Sequence, residues 1–355
     1  MHIAIDLGGK ESQVCVRRSD GTISREERMK TAALEGWLAT VKEPCVVVVE
    51  TCAEALRTAD AARALGHEIR VVPSTLCPSL LVGARGKKTD RDDARALSLA
   101  SCRIDLPSVH VPSPAARDRK SELTARSALV EARKGLVNVT RSWLRTRGWT
   151  VQPGSTDTFA SRVRKKAAAQ QDAIPVWIER LLVSVDELTK QIAQANQEAK
   201  TAAASDPRCE LMMSVPGIGS LVSLAMVSTV DDEKRFEDTQ HLASYVGLVP
   251  SEDSSSQRVR RGGITKAGSA RLRWLLVQAA WSAWRTRPND PMVLWAKQVA
   301  ERRGRRVAIT ALARKILGIA WAIWKSGKPY EPRLGASARS TLASVEEGLA
   351  MLAPT

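Results

Sequence analysis

The segment Cys45-Val-Val-Val-Val-Glu50 constrains the fold more than any other part of the sequence. A continuous run of β-branched residues is typical of a strand that is buried on both faces of a sheet. Residues 68–72 have the same character, and the helical pattern between the two runs, over residues 53–65, ends at Gly66. A buried strand, a helix and a second buried strand predict a β–α–β unit with parallel strands.

Three further strand patterns lie before this β–α–β unit in the sequence. Residues 3–7 form an apolar run, residues 13–18 alternate apolar and polar residues, and Asp20-Gly21 predicts a hairpin turn before a strand over residues 22–29. Hairpins followed by a β–α–β unit give the strand order of a ribonuclease H-like sheet. We therefore predict an α/β domain of the ribonuclease H-like class over residues 1–112.

The rest of the chain is predicted to be mainly helical. Over residues 177–200 the apolar residues alternate spacings of four and three, at Leu181, Val185, Leu188, Ile192, Ala195 and Ala199. This spacing fits the seam of a short coiled coil and also an amphipathic helix packed within its own chain, and both interpretations stay open. We expect a helical or coiled-coil region over residues 113–206, a mainly helical domain over residues 207–330 and a flexible tail over residues 331–355.

The charge of the chain indicates a polyanionic partner. Its 54 Lys and Arg residues exceed its 38 Asp and Glu residues, which gives a formal net charge of +16. Residues 258–328 contain seventeen Lys or Arg residues and only two acidic residues, a density that favours a surface for nucleic-acid phosphates over an ordinary solvated face. The residues that we predict to contact nucleic acid are Arg258, Arg260, Arg261, Lys266, Arg271, Arg273, Arg302, Arg303, Arg305 and Arg306.

Two other features lie in or near this basic region. Val215-Pro-Gly-Ile-Gly219 predicts a turn between helices that resembles a helix-hairpin-helix, whose backbone N–H groups point at phosphate. Six of the ten tryptophans fall between residues 274 and 324. Trp274, Trp281 and Trp284 recur on one helical face, and this spacing favours core positions over base-stacking platforms.

The composition argues against several classes of protein. No stretch approaches eighteen apolar residues and the N-terminus lacks the order of a signal peptide, so we expect a cytoplasmic, nucleoid-associated protein with no membrane partner. The six cysteines contain no C-x-x-C pair and the four histidines are scattered, which argues against a zinc ribbon and a disulfide framework. Most of the cysteines are predicted to be small core residues.

Four carboxylates are predicted to meet in one site. Asp6 lies near the end of the first strand and Glu50 ends the valine-rich strand. In a ribonuclease H-like sheet these strands are parallel neighbours, so their carboxylates share one edge. Asp90 and Asp93 are three residues apart at the start of a helix and share one face, whereas Asp92 points elsewhere. Clustered carboxylates need a counter-charge, and we predict two Mg²⁺ ions, or Mn²⁺, at these four residues.

Other interpretations of the same residues stay open. Thr89 is a good N-cap and acidic residues in a first helical turn interact favourably with the helix dipole, so Asp90 and Asp93 taken alone fit a structural role equally well. Asp6-Leu-Gly-Gly9 also resembles the phosphate loop of sugar kinases and actin-like ATPases, which share this sheet. Their second glycine-rich phosphate loop and their adenosine-binding motif are not visible in the sequence.

Two separate sets of motifs resemble one family. Asp6, Glu50 and Lys88-Thr-Asp-Arg-Asp-Asp-Ala94 resemble the DEDD signature of insertion-sequence transposases with a RuvC-like domain, which include Piv-type invertases and bridge-RNA-guided recombinases. The second, transposase domain of that family is similar to three further segments: Ser214-Val-Pro-Gly-Ile-Gly219, Leu242-Ala-Ser-Tyr-Val-Gly-Leu-Val-Pro250 and Arg261-Gly-Gly-Ile-Thr-Lys-Ala-Gly268.

This resemblance implies a DNA recombinase that excises and inserts its own mobile element. Its partners would be donor DNA, target DNA and a structured non-coding guide RNA. Its active site would combine the DEDD carboxylates of one protomer with a serine of another, in a dimer that assembles to a tetramer. The implied nucleophile is Ser255, which would become covalently joined to DNA.

The sequence departs from the family pattern at two places. The serine loop reads Ser254-Ser-Ser-Gln257 where the family usually has Ser-Gly, so Ser254 and Ser256 remain alternatives to Ser255. Glu50 is followed by Thr-Cys-Ala53 and lacks the glycine that is common in the family, so the exit from this strand can differ.

Two other functions stay open. A RuvC-like, metal-dependent junction nuclease would use water as the nucleophile and leave Ser255 without a catalytic role. A nucleic-acid-binding protein without catalysis, or an actin-like ATPase, would not cut DNA at all. A covalent protein–DNA adduct separates the recombinase from the nuclease, and loss of activity on chelation of Mg²⁺ separates both enzymes from the third class.

Overall fold

The computed structural model describes residues 1–77, 89–255 and 258–332, and for residues 253–255 and 258–261 it describes the backbone alone. The chain divides into two compact units, Met1–Pro112 and Ser113–Thr355. The two regions expected on either side of position 206 therefore lie in one unit. Of the tail expected over residues 331–355, only the first two residues are described.

A five-stranded mixed sheet forms the centre of the first unit. Its strands are β1 His2–Asp6, β2 Glu11–Arg17, β3 Ile23–Lys30, β4 Val46–Glu50 and β5 Glu68–Val72. They lie in the order β3-β2-β1-β4-β5. The β1–β2 and β2–β3 pairs are antiparallel, whereas the β1–β4 and β4–β5 pairs are parallel. The predicted mixture of a hairpin and a parallel β–α–β unit is confirmed, and the strand order is consistent with a ribonuclease H-like core.

Helices cover both faces of this sheet, as the valine-rich run predicted. They are α1 Leu34–Leu38, α2 Ala55–Ala64 and α3 Asp90–Arg103. Ile5 and Val47 pack on one face with Ala59 of α2. Val48 points to the opposite face and packs with Leu97 of α3. Because side chains alternate along a strand, a run that is apolar at every position is buried from both sides.

Charged side chains tie helix α3 to the outer part of the sheet. Glu26 of β3 accepts hydrogen bonds from Arg95 (2.5 and 2.8 Å) and from Arg91 (2.7 and 3.2 Å). These bonds from Arg95 and Arg91 lower the pKa of Glu26 from 4.5 to about 2. Arg17 of β2 is buried and donates to Ser98 Oγ at 3.1 Å and to the carbonyl of Arg95 at 3.3 Å. The first turn of α3 is therefore fixed from the side of the sheet.

The second unit is mainly helical and carries one small β-hairpin. Its helices and strands are α4 Pro114–Thr146, α5 Phe159–Ala169, α6 Val176–Ala204, α7 Pro207–Met213, α8 Ser220–Val230, α9 Thr239–Val246, β6 Pro250–Ser255, β7 Arg258–Ile264, α10 Ala270–Thr286, α11 Pro291–Arg303 and α12 Arg305–Ser326. A single large core joins the end of α6 to α7 through α12.

Helix α6 packs against α4 of its own chain. Arg126 donates to Asn196 Oδ1 at 2.7 Å and Arg133 donates to Thr189 Oγ1 at 3.1 Å, so residue numbers fall along α6 as they rise along α4. The two helices are therefore antiparallel. Of the two interpretations of residues 177–200, packing within the chain is the one that the structure contains.

The buried stripe of α6 differs from the predicted one. It consists of Ile178, Leu182, Val185, Ile192, Ala199 and Ala203. Of the six predicted positions, Leu181, Leu188 and Ala195 are only partly buried. The same spacing of four and three continues through Thr189 and Asn196, which accept the hydrogen bonds of the α4 arginines. A search for apolar residues alone misplaces the stripe because two of its members are polar.

Helix α12 lies in the core of the second unit. Its length and composition alone would allow it to cross a membrane, but 56% of its apolar window is buried inside the protein, as in the core helix of a soluble protein. Alanines and longer apolar residues (Leu, Ile and Trp) together make up most of α12, so the helix is apolar on most of its sides.

The tryptophans of α10 do not share one environment. Leu272, Leu276 and Ala283 fill the core side of this helix. Trp281 and Trp284 pack partly against that core, whereas the side chain of Trp274 is 60% exposed. The prediction of a core position was therefore wrong for Trp274, because the smaller aliphatic residues occupy the buried face.

We predict that Glu26→Gln destabilises the first unit in a pH-dependent manner. The pKa of Glu26 is lowered in the folded state, so its ion pairs stabilise the fold fully above pH 4.5 and lose that effect as the pH falls toward 2. At pH 7 the variant should unfold about 3–5 °C earlier than wild type. The difference, measured by thermal unfolding across this pH range, should shrink toward zero in acid.

Glu27→Gln is the matched control. Glu27 is the next residue of β3 and pairs with Arg25, which is largely exposed. A pH-dependent loss of the same size in Glu27→Gln would contradict the role of the Glu26 ion pairs.

Candidate active site and nucleic-acid interface

The parallel ladder brings Asp6 and Glu50 to one edge of the sheet. Ile5 of β1 lies opposite Val49 of β4, and Asp6 and Glu50 are the next and last residues of these strands. Both carboxylates are half-buried. The local reason is the apolar character of both strands, in which the three residues before the acidic one are buried.

Helix α3 brings Asp93 to the same place. Asp93 is 5% exposed and faces the sheet, whereas Asp90 begins the helix and is exposed. The buried thiol of Cys77 lies near the same groups. Burial raises the pKa of Cys77 to about 12, and the charges of Glu50, Asp93 and Asp6 contribute to the rise. Three of the four predicted carboxylates thus lie within electrostatic range of one thiol.

Asp92 has a structural role, as the helical-face argument predicted. Thr89 is the N-cap of α3: its hydroxyl accepts a hydrogen bond from the Asp92 N–H at 3.2 Å and donates one to Asp92 Oδ2 at 2.6 Å. Reciprocal bonds of this kind satisfy orphan groups of the first helical turn. Asp92 is thus turned toward the cap and not toward Asp93.

Among the described residues, the carboxylates do not form a complete set of metal ligands. In the ranges 1–77, 89–252 and 262–332, no three His, Cys, Asp or Glu side chains are arranged to hold a metal ion. Carboxylate oxygens are nevertheless the donors that Mg²⁺ prefers, and Mg²⁺ is commonly held by one or two carboxylates together with waters and substrate phosphates. The donor chemistry of Asp6, Glu50 and Asp93 fits that mode of binding.

Sequence reasoning missed Cys77 as a neighbour of this site. It assigned the cysteines to the core, and four of the six are buried, whereas Cys52 is exposed and Cys102 is intermediate. Position 77 follows β5, the strand beside β4. A residue just after a neighbouring parallel strand reaches the same sheet edge, so the topology contained the signal.

The serines lie on the hairpin of the second unit. In its backbone register Ser255 pairs with Arg258, Ser254 with Val259 and Asp253 with Arg260. Ser255 is thus the last paired residue of β6. The side chains of Ser254, Ser255, Arg258, Arg260 and Arg261, and the whole of Ser256, lie outside the described residues.

The base of the hairpin is held by a tightly packed loop. Thr265 N–H donates to the carbonyl of Val249 at 2.9 Å, and Lys266, with φ of +58°, donates to the carbonyl of Gly247 at 3.2 Å. Gly268 has φ of +65° and its α-carbon lies against the carbonyl of Tyr245, so a side chain there would collide with backbone. The glycine-containing motif around residue 266 therefore fixes how the hairpin leaves the helical core.

Two of the predicted nucleic-acid contacts also support this loop. Arg273 donates to the carbonyl of Val246 at 2.9 Å and to that of Ala267. Arg271 donates to Thr124 Oγ1 of α4 at 2.8 Å. Both guanidinium groups are half-buried, so part of their role is structural.

The turn that resembles a helix-hairpin-helix joins α7 to α8. Gly217 has φ of +90° and lies against the carbonyl of Ala279 in α10, so this position has no room for a side chain. Gly219 is exposed and precedes α8 without a side-chain cap. The turn is thus packed on the core on one side and open on the other.

Four arginines form a separate cluster at the junction of α11 and α12, which we call the junction cluster: Arg302, Arg303, Arg305 and Arg306. All four side chains are exposed. Within the part of the chain that the structure describes, none of them makes a salt bridge. Unpaired guanidinium groups at such density favour binding to phosphates.

The sequence of the chain is similar to those of known transposases. Residues 209–292 match the sequence model of the Transposase IS116/IS110/IS902 family. The chain is 29% identical to the transposase for insertion sequence element IS1111A of Coxiella burnetii, over 92% of this chain and 90% of that protein. It is 28% identical to a probable family 20 transposase of Pseudomonas aeruginosa (93% and 98%) and 27% identical to the transposase for insertion sequence element IS1328 of Yersinia enterocolitica (92% and 98%).

Relatives of this kind imply that the chain belongs to the class of enzymes that modify DNA. The family that they support is an insertion-sequence transposase family. The resemblance drawn from the sequence motifs is thereby confirmed.

We predict that the junction cluster contributes strongly to the salt dependence of nucleic-acid binding. Each phosphate contact releases counterions, so changing all four arginines to Glu should weaken binding and reduce the slope of log K against log salt by about 3. The measurement is fluorescence anisotropy with labelled duplex DNA at several salt concentrations.

A second quadruple variant controls for net charge. Arg145, Lys165, Lys190 and Lys200 are exposed residues of α4, α5 and α6, and changing them to Glu alters the charge equally. An equal loss of slope in both variants would show that net charge, and not the junction cluster, determines binding.

Proposed function

We propose that the chain is the transposase of an insertion sequence, which cuts and rejoins DNA by phosphoryl transfer. The observation that carries this proposal is the shared sheet edge of Asp6 and Glu50, in the same unit in which helix α3 buries Asp93. It occurs in a chain that is similar to transposases over about nine-tenths of its length. Acidic side chains gathered in this way are suited to phosphoryl transfer and have no evident use in stabilising the sheet.

The proposed nucleophile is the hydroxyl of Ser255. Its oxygen would attack a DNA phosphorus, a P–Oγ bond would form and the bond from phosphorus to a sugar oxygen would break. The serine proton would pass to a carboxylate of the site, because no histidine is near in sequence and His241 is the closest. Attack of a sugar hydroxyl on the phosphoserine would then reverse the step and join a different strand.

Asp6, Glu50, Asp90 and Asp93 would hold Mg²⁺ or Mn²⁺. When bound, this ion would supply positive charge at the scissile phosphate and make the serine hydroxyl easier to deprotonate. Asp93 is buried and the two strand carboxylates are half-buried, whereas Asp90 lies on the exposed start of α3, about one helical turn before Asp93. Lys266 and the arginines of β7 would stabilise charge on the transferred phosphate.

The proposed partners are nucleic acids and further copies of the chain. Donor and target DNA would bind the basic second unit together with a structured non-coding guide RNA. A dimer, assembling to a tetramer, would bring the carboxylates of one protomer to the serine of another, which withholds the nucleophile until the complex has formed. The protein would act in the cytoplasm, at the nucleoid.

A RuvC-like nuclease that uses water is the second candidate. The observation that favours it is that Asp6, Glu50, Asp93 and Cys77 all belong to the first unit. A site built from one unit needs no serine from the other. The two candidates differ in whether the protein becomes joined to DNA.

We predict that Asp6→Asn, Glu50→Gln, Asp90→Asn and Asp93→Asn each reduce strand cleavage about 100-fold or more while the protein stays folded. Each change removes one charged oxygen ligand of the proposed metal site. Cleavage of labelled DNA with Mg²⁺ present, and again after chelation, is the measurement, with circular dichroism to check the fold.

Asp92→Asn is the matched control for the carboxylate variants. Asn keeps an acceptor oxygen for the Thr89 hydroxyl, and the backbone N–H of residue 92 still donates to Thr89, so cleavage should fall only slightly. A folded Asp92→Asn protein as inactive as Asp93→Asn would refute the separation of the two side chains.

We predict that Ser255→Ala abolishes both recombination and a covalent protein–DNA adduct. The alanine side chain has no oxygen with which to attack phosphorus. Protein, Mg²⁺, guide RNA and DNA are incubated and denatured, and the DNA-linked protein is then detected by its slower migration in a gel.

Ser254→Ala and Ser256→Ala are the neighbouring controls and should retain the adduct. If the adduct persists in Ser255→Ala and is lost in one of the controls, the serine of that control, and not Ser255, is the nucleophile. DNA cleavage by wild type without any adduct would favour the water-using nuclease.

A further inference from the structure

A cavity of about 700 Å³ lies between α11, α12 and residues 328–331 of the second unit and shares no lining residue with the hairpin. Its volume is within the range of sites that hold small organic ligands. The side chains that give it chemical character are those of Met292, Trp295, Gln298, Lys315, Ile319 and Tyr330. It is thus an apolar cavity with one large aromatic ring and a few polar groups.

Trp295 and Lys315 form the polar end of the cavity. The indole is 36% exposed and the Lys315 ammonium lies 4.3 Å from the centre of its ring. Burial lowers the pKa of Lys315, and the charge of Asp290 opposes that change. In the described part of the chain no carboxylate lies within salt-bridge distance of Lys315. The site therefore offers an indole ring with an ammonium over one of its faces, and this cation lacks a close counter-charge.

The wall opposite the helices is fixed before any ligand binds. The Tyr330 hydroxyl donates to Asp290 Oδ1 at 2.9 Å, and the Tyr330 N–H donates to Ser214 Oγ at 2.8 Å. Asp290 also accepts from the N–H of Met292 as the N-cap of α11. The segment that closes the cavity is therefore tied to two helix ends, and little ordering entropy remains to be lost on binding.

The junction cluster begins on the face of α11 that also contributes to the cavity. Trp295, Gln298 and Arg302 are spaced by three and four residues and so share a side of the helix. Gln298 and Arg302 are about 6 Å apart along the helix axis, by the rise per residue. A strand whose phosphates bind the junction cluster would need only one or two nucleotides to reach Trp295.

We propose that this cavity binds one unpaired nucleotide of the nucleic acid that the junction cluster holds. The base stacks on Trp295 and the adjoining phosphate lies toward Lys315 and Lys328. A nucleotide matches the cavity in having an apolar, flat part and an anionic part, and stacking on an aromatic ring tolerates any base. The inference rests on the proposed function, because it specifies which part of the substrate this unit holds.

The test compares hairpin duplexes of equal length that are either fully paired or carry one unpaired nucleotide, each in a DNA and an RNA version. Affinities are measured by fluorescence anisotropy at constant salt. Wild type should prefer the duplex with the unpaired nucleotide by about 5- to 100-fold. The version, DNA or RNA, with the larger preference identifies the source of the nucleotide.

Four variants make the test specific. Trp295→Ala should lose the preference yet bind the fully paired duplex as wild type does, which also shows that it is folded. Trp295→Phe should keep most of the preference. Trp274→Ala, a change at an exposed tryptophan outside the cavity, should keep all of it. Lys315→Met should weaken binding of the unpaired form and reduce its salt slope by about 1.

Three outcomes would overturn the proposal. They are equal binding of both duplexes by wild type, retention of the preference in Trp295→Ala, and loss of the preference in Trp274→Ala. These results leave the proposed transposase function intact, since general binding would persist. Failure of wild type to bind any of the four duplexes would contradict the proposed function itself.

Discussion

The parallel pairing of β1 with β4 is the interaction on which the candidate active site depends. It sets Ile5 opposite Val49, so the two acidic residues that follow reach the same edge. A slip of either strand by one residue would turn its terminal acidic residue to the other face of the sheet. Packing of the apolar residues thus keeps carboxylates that repel one another at the same sheet edge. Burial of the two apolar strands provides the favourable free energy that offsets this repulsion.

Helix α3 completes this arrangement by separating three neighbouring aspartates. Asp93 is buried toward the sheet, Asp92 is hydrogen-bonded to Thr89 in the cap, and Asp90 is exposed. The first turn tolerates these acids because the helix dipole favours negative charge there. Glu26 holds the outer side of the helix through Arg91 and Arg95. The position of Asp93 therefore depends on an ion-pair network as well as on the apolar core.

Features that follow from regular periodicity could be predicted from the sequence. The valine-rich strand, the hairpin at Asp20-Gly21, the shared edge of Asp6 and Glu50, and the cap at Thr89 all follow from local patterns. Features that depend on a partner element could not. The stripe of α6 includes Thr189 because an arginine of α4 pairs with it, the exposure of Trp274 depends on what fills the core beside α10, and the neighbours of Cys77 depend on the strand order.

The distribution of charge explains why such a chain needs both units. Residues 1–112 contain sixteen Lys or Arg and fifteen Asp or Glu residues, so the unit with the carboxylates is nearly neutral. A phosphate approaching Asp6, Glu50 and Asp93 meets negative charge and gains little from that unit. Residues 258–328, with seventeen basic and two acidic residues, can supply favourable binding free energy through counterion release. For the proposed reaction, affinity for the nucleic acid would arise in the second unit and offset the cost of placing a phosphate beside the carboxylates of the first.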